Sequence, residues 1–402
     1  MNSASPPPSL PRTVGLCYVI MLLQGADAFG ISYVAPLLGR EHGIDPEWVG
    51  VIFTASVIGT LLGAIGIAPA SDRFGRSRIL LLSVLMTGTP SLLIPLTTGV
   101  PALAALRFVV GLGYGASLPV AVALVAEVAP AHRRALLVTL TSTSTVVGMG
   151  VSGLATSLIV PRYGWHAMLY SSGVVSVVVT LVGALLLPKS RAAGASVSSA
   201  PQRGDARALI SPAFLRQSLL LCLMLTMSSL VVNFAAYWLP TLIVNQGYSV
   251  QDTGFIGSSR QLLTVLTGIA VGWGMDRLGF GRVLAMCYGL ATLLFMGLAG
   301  LHGLAVLALG MLLLGMTLFS AGTSGSLALI SSVYPAQQRT TALGWVQGVA
   351  RLLGGIIGTS VGGVMVGAGW TQRQFAVGIG CVALVCLASL LAMLRRAGDD
   401  GA

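Results

Sequence analysis

The chain has 402 residues, of which 55% are hydrophobic and only 8% charged, with a mean hydropathy of +0.90. That leaves too little polar surface to cover a soluble globule, so the sequence reads as an integral membrane protein. The formal charge of +11 would suit nucleic acid, but the basic residues lie in short clusters between apolar runs and form no continuous basic face, which makes them topology signals.

A bilayer core about 30 Å thick needs roughly 20 apolar residues per helix. After a Pro-rich tail at 1–12, the apolar runs predict spans at 13–38, 48–70, 78–98, 101–129, 134–159, 165–187, 217–244, 252–273, 281–301, 303–331, 341–367 and 372–394. The first run is too long for a signal-peptide core and shows no small-residue cleavage site, so it is expected to stay as a membrane helix. The stretch 188–216 is small, polar and basic, a flexible cytoplasmic linker between an N-terminal bundle (13–187) and a C-terminal bundle (217–394), with a short tail at 395–402.

With the termini placed in the cytoplasm, the inner loops and tails hold 16 of the 22 Lys and Arg residues, the outer loops hold three (Arg40, Arg162, Arg373), and three lie within spans (Arg107, Arg260, Arg351). That asymmetry sets the orientation. Trp165 and Trp370 start outer helix ends and read as interface anchors. The five cysteines all fall in predicted spans without metal-ligand spacing, and their odd number argues against a disulfide framework. "GMGVSG" at Gly148 fits a dinucleotide-binding pattern but follows no strand, and no P-loop is present, so nucleotide drive is not expected.

The halves are copies. "DRFGRSR" at Asp72 returns as "DRLGFGR" at Asp276, an offset of 204 that also pairs Pro36 with Pro240, Gly43 with Gly247 and Gly50 with Gly254. "VAPAHRR" at Val128 returns as "VYPAQQR" at Val333, and Gly164-Trp165 as Gly369-Trp370, both at 205. Identities at one nearly constant offset mark a tandem repeat of six helices. The fold class is therefore an all-α membrane protein of twelve helices in two pseudo-symmetric halves.

This arrangement, with its loop signatures Asp72, Arg73, Gly75, Arg76 and Gly272, Asp276, Arg277, Gly279, Arg282, resembles the major facilitator superfamily. Within it, several stretches resemble the aromatic acid:proton symporter family. These are Gln24-Gly25-Ala26-Asp27 with Tyr33 and Pro36, "RFVVGLGYGASLP" with Arg107, and Glu127, Pro130 and Arg134 at the next turn. In the second half "YWLPTL" and "YPAQQRTTALGWVQGVARLLGGIIG" carry the likeness. Gln24 stands where that family has a first acid, and Arg260 is not a family residue.

The resemblance implies a substrate site near the midplane between the halves. It also implies an inner-face latch of Asp72, Arg73, Arg76, Arg134, Asp276, Arg277, Arg282 and Arg339, whose ion pairs exchange partners as the halves rock.

Ionisable groups inside a membrane default to function. Asp27 lies about 14 residues into its helix, roughly 21 Å of rise. A carboxylate alternately dry and paired with a cation can load and release a proton near neutrality. Arg107 is the expected partner, Gln24 is expected to hydrogen-bond Asp27 from three residues away, and Glu127 joins the coupling set. No intramembrane acid is visible in the second half to neutralise Arg260 and Arg351, and a guanidinium suits a carboxylate held by two hydrogen bonds. Tyr33, Tyr114, Tyr237, Trp238 and Trp345 could supply faces for an aromatic substrate.

The expectation is a bacterial inner-membrane importer of a small organic anion, an aromatic carboxylate by resemblance. It would be driven by the proton gradient without a cofactor, act as a monomer, and be neither an enzyme nor a nucleic-acid binder. The alternative is a proton-driven efflux carrier of the same fold, but helix five lacks the Gly-Pro signature usual in such antiporters.

Overall fold

The computed structural model describes residues 10–187, 215–300, 305–334 and 336–399. Nearly all of the expected linker, most of the N-terminal tail and the last three residues lie outside the described residues. The described chain is helical: α1 (Leu10–His42), α2 (Pro46–Leu62), α3 (Ala68–Phe74), α4 (Arg76–Leu93), α5 (Val100–Val128), α6 (Arg134–Leu186), α7 (Leu215–Asn245), α8 (Val250–Leu278), α9 (Phe280–Gly300), α10 (Ala305–Val333), α11 (Ala336–Gly367) and α12 (Gln372–Asp399). A π-helical turn at Gly63–Ile67 joins α2 to α3, so these two form one continuous path where the sequence predicts a single span.

The stretch labelled α6, 53 residues in all, holds the two spans expected at 134–159 and 165–187: Gly164 (φ 77°, ψ 169°) leaves helical geometry and divides it in two. Glycine is needed there because no other residue takes that backbone conformation cheaply. By length and composition, ten helices among the described residues can cross a membrane, the region of α6 being counted once and α8 not at all. Twelve crossings follow if Gly164 divides α6 into two and α8, whose apolarity is interrupted by Arg260, is a further crossing.

Among the described residues, six glycines have positive φ: Gly43, Gly75, Gly164, Gly247, Gly279 and Gly369. They form three pairs at offsets of 204, 204 and 205, the intervals already visible in the sequence. The local hydrogen bonds repeat too: Gly75 N donates to Ser71 O at 2.9 Å and Gly279 N to Met275 O at 3.0 Å. The repeat is thus written into the backbone as well as the side chains.

The described fold divides into two compact units, Met1–Ser196 with Ile243–Gln261, and Val197–Leu242 with Leu262–Ala402. In the first, the core includes Cys17, Ile20 and Met21 of α1, Leu80 and Val84 of α4, and Leu124 and Val125 of α5. Apolar side chains such as Leu158, Leu181 and Leu185 point outward and stay exposed, as lipid-facing positions do.

Candidate coupling and anion site

Asp27 sits midway along α1 and is buried, 4% exposed. It lies in a tight helix contact: a Cβ on Gly25 would overlap Thr145 O, and one on Gly148 would overlap Leu22 O, so α1 and the first segment of α6 meet backbone to backbone. The second segment of α6 brings two hydroxyls to the carboxylate. Ser176 Oγ donates to Oδ2 at 2.5 Å and Ser172 Oγ donates to Oδ1. Residues four apart share a helix face, which lets one short stretch hold both oxygens.

Arg107, on α5, is 1% exposed. Its Nη2 donates to Ala28 O at 2.5 Å, and its Nε donates to Ser56 Oγ at 3.0 Å. Ser56 in turn donates to Arg107 O at 3.0 Å. This reach is possible because α2 and α5 touch through glycine: Cβ atoms on Gly111 and Gly115 would overlap Ser56 O and Thr60 O. The positive charge of Arg107 acts on the Asp27 carboxylate, while the guanidinium bonds the carbonyl of the next residue along.

Gln24 corrects an expectation. Its amide is fully buried, and neither its nitrogen nor its oxygen has a hydrogen-bond partner, so it does not bond Asp27. Both carboxylate oxygens are already taken by the α6 serines.

Glu127 lies 20 residues beyond Arg107 on α5, about 30 Å along the helix. There it pairs with Arg76 at 2.5 Å, and Arg76 reaches Asp72 at 3.2 Å and Ala123 O at 3.2 Å. The structure therefore groups Glu127 with the latch residues. Arg73 is exposed and its guanidinium lies 5.6 Å from the Phe74 ring centroid, and Arg134 is exposed at the start of α6. In the second copy Arg277 lies over the Trp273 ring at 4.0 Å, and Asp276 and Arg282 have no ion-pair partner among the described residues. The side chain of Arg339 lies outside the described residues.

Tyr33 and Arg260 come together within the first unit. A Cβ on Gly257 would overlap the Tyr33 hydroxyl, so the phenol lies against α8 one turn before Arg260. Arg260 is 7% exposed and interacts electrostatically with Tyr33. Two bonds fix this end of α8 to α6: Ser258 Oγ donates to Gly150 O and Ser157 Oγ to Gln251 O, each at 2.7 Å. Tyr114 is half-buried and packs edge-on against Phe29, with ring centroids 5.6 Å apart.

In the second unit, Tyr237 and Trp238 are buried in α7, and Trp238 Nε1 donates to Thr359 O at 2.9 Å. On α11, Gly354 and Gly358 press on Thr226 O and Leu230 O of α7. Arg351 and Trp345 are exposed on the same helix, and a Cβ at Gly344 or Gly348 would meet nothing within 4 Å.

The family model described as Major Facilitator Superfamily matches residues 17–359. The chain belongs to the major facilitator superfamily. It is thus a multi-pass membrane protein of a transporter family and not an enzyme. This facilitator is 31% identical to the 4-hydroxybenzoate transporter PcaK of Pseudomonas aeruginosa over 94% of its own length and 91% of that protein's. It is 29% identical to a gallate transporter of Pseudomonas putida, over 88% and 85% of the two chains. Among solved structures, the nucleoside transporter NupG matches with a TM-score of 0.75 at 16% identity, covering 96% of this chain and 99% of that one, a likeness of fold.

Ser172 and Ser176 escaped the sequence reading of this facilitator. Their signal was available in "YSSGVVS", where two hydroxyls four residues apart occupy a membrane helix without any charge to draw attention.

Proposed function

We propose that this facilitator imports an aromatic carboxylate together with protons, by alternating access, across the bacterial inner membrane, with both termini in the cytoplasm. The observation that carries the reading is a carboxylate buried mid-helix in a membrane span, gripped by two hydroxyls and within the field of a buried arginine. Such a group is costly to keep in a membrane, by roughly 2.5 to 3.5 kcal/mol on insertion scales, unless it works. Asp27 loads the proton, and Arg107 stabilises the empty, charged state.

The substrate class is supported by the relatives, named as transporters of 4-hydroxybenzoate and gallate. On the protein side, Arg260 beside the Tyr33 hydroxyl offers a guanidinium and a phenol to a carboxylate, and Arg351 on α11 supplies a second guanidinium. Tyr114, Tyr237, Trp238 and Trp345 are the candidate ring contacts. The Asp72–Arg76–Glu127 cluster acts as the inner latch in the first copy, with Arg73 and Arg134 beside it in sequence; Asp276, Arg277, Arg282 and Arg339 do so in the second. The proton gradient is the only energy source, no cofactor is needed, and the monomer is the working unit.

The test uses the purified protein in liposomes: uptake of a panel of aromatic and aliphatic carboxylates, with and without an inward proton gradient. Gradient-dependent accumulation of hydroxybenzoate-like acids is expected. Accumulation of no acid, with gradient-driven movement of cationic drugs instead, would overturn the reading.

A further inference from the structure

We propose that Ser172 and Ser176 are positioning residues of the coupling site, a hydroxyl pair that keeps Asp27 hydrogen-bonded in both of its protonation states and thereby sets the pH at which it loads. The proposal rests on Asp27 being the coupling carboxylate.

A buried carboxylate needs donors and a buried carboxylic acid needs an acceptor, and a buried group left without its partner is destabilising. A hydroxyl can serve as either, which neither an arginine nor a backbone N–H can do. Both serines now donate, one to each carboxylate oxygen, the arrangement of the charged state. When a proton binds Oδ2, Ser176 Oγ can accept the new O–H and turn its own hydrogen to the Ser172 carbonyl one turn back. Thr180 already makes this bond in the same helix, donating to Ser176 O at 2.8 Å. Release of the proton reverses both hydrogen bonds, and no other atom changes partner.

The position of Ser176 is fixed from behind. A Cβ on Gly88 of α4 would overlap the Ser176 Cβ, so α4 and α6 touch at this point.

Few other charges face the site. Arg107 of α5 acts on Asp27. Tyr114 of α5 packs edge-on against Phe29, two residues along from Asp27, and the other charged or titratable side chains of the helices packed against α1 are Glu47 in the first turn of α2, Arg76 and Arg78 in the first turn of α4, Glu127 at the far end of α5, and Arg134, Arg162, Tyr163, His166 and Tyr170 on α6 outside 172–176. The serine pair is accordingly the polar element on the α6 side of Asp27.

The experiment compares the pH profile of 4-hydroxybenzoate uptake by the full-length protein in liposomes for wild type, Ser172→Ala, Ser176→Ala and the double variant. Two donors that favour the charged form are lost in the double variant, so the midpoint should move to higher pH by about one unit or more, with uptake retained on the acid side. Ser172→Thr, which keeps the hydroxyl, should restore the wild-type midpoint and provides the readout should the double variant not fold. A midpoint unmoved in Ser172→Ala and Ser176→Ala would overturn the proposal. Asp27→Asn run in parallel separates the two failures: if it keeps a wild-type pH profile, the coupling assignment of Asp27 falls, whereas a flat profile there with unmoved serine variants removes the serines alone.

Discussion

Asp27 shows how a single side chain can be legible in chemistry and hidden in geometry. A carboxylate in an apolar run announces itself, and so does an arginine three spans further on. What the residue string does not carry is helix rotation: which face of α1 meets α5 and which meets α6 depends on packing. The carboxylate hydrogen-bonds the sixth expected span, and Arg107 bonds the backbone beside it. Asp27→Asn should abolish proton-driven accumulation while leaving exchange of preloaded substrate intact in liposomes; loss of both activities would mark a structural role instead. Arg260→Lys keeps a charge but loses the planar fork, so the KM for the carboxylate should rise about tenfold with kcat largely retained, the loss of one charge-assisted hydrogen bond. An unchanged KM would remove Arg260 from anion binding.

Among the helices, glycine decides where backbones touch. Gly59 and Gly63 of the α2 path meet Phe108 O and Leu112 O of α5, while Gly111 and Gly115 of α5 meet Ser56 O and Thr60 O in return. These reciprocal contacts bring Ser56 within reach of Arg107. Gly115→Val should therefore lower stability by at least about 1–3 kcal/mol through overpacking, read as a fall in thermal melting in detergent, whereas Gly344→Ala, at an open position, should melt like wild type. The helix ends were legible because their turns need positive φ: Gly43, Gly75, Gly164 and their counterparts stand at the expected breaks. Gly164, with non-helical φ and ψ, divides α6 at the break that the apolar runs predict.

Across the whole molecule, the repeat is kept in the backbone and broken in the chemistry. Where the first copy buries Gln24, Asp27 and Arg107, the second buries a neutral cluster: Tyr288 Oη lies 3.0 Å from Ser228 Oγ and 3.0 Å from Ser326 Oγ, and Ser228 stands 204 residues after Gln24. The buried carboxylate thus belongs to the first copy, a division that the offset pairing of the sequence could frame but not explain, because Tyr288 looks like any aromatic in an apolar helix. Tyr288→Phe should then leave proton coupling intact and alter only melting temperature. The central claim is that substrate and proton move together through Asp27. The most direct measurement is lumenal pH, read by a trapped dye, after 4-hydroxybenzoate is added outside liposomes with no imposed gradient. Substrate-dependent acidification beyond that of protein-free vesicles, lost in Asp27→Asn, is the expected result. Uptake of 4-hydroxybenzoate without acidification, or equal acidification in Asp27→Asn, would contradict it.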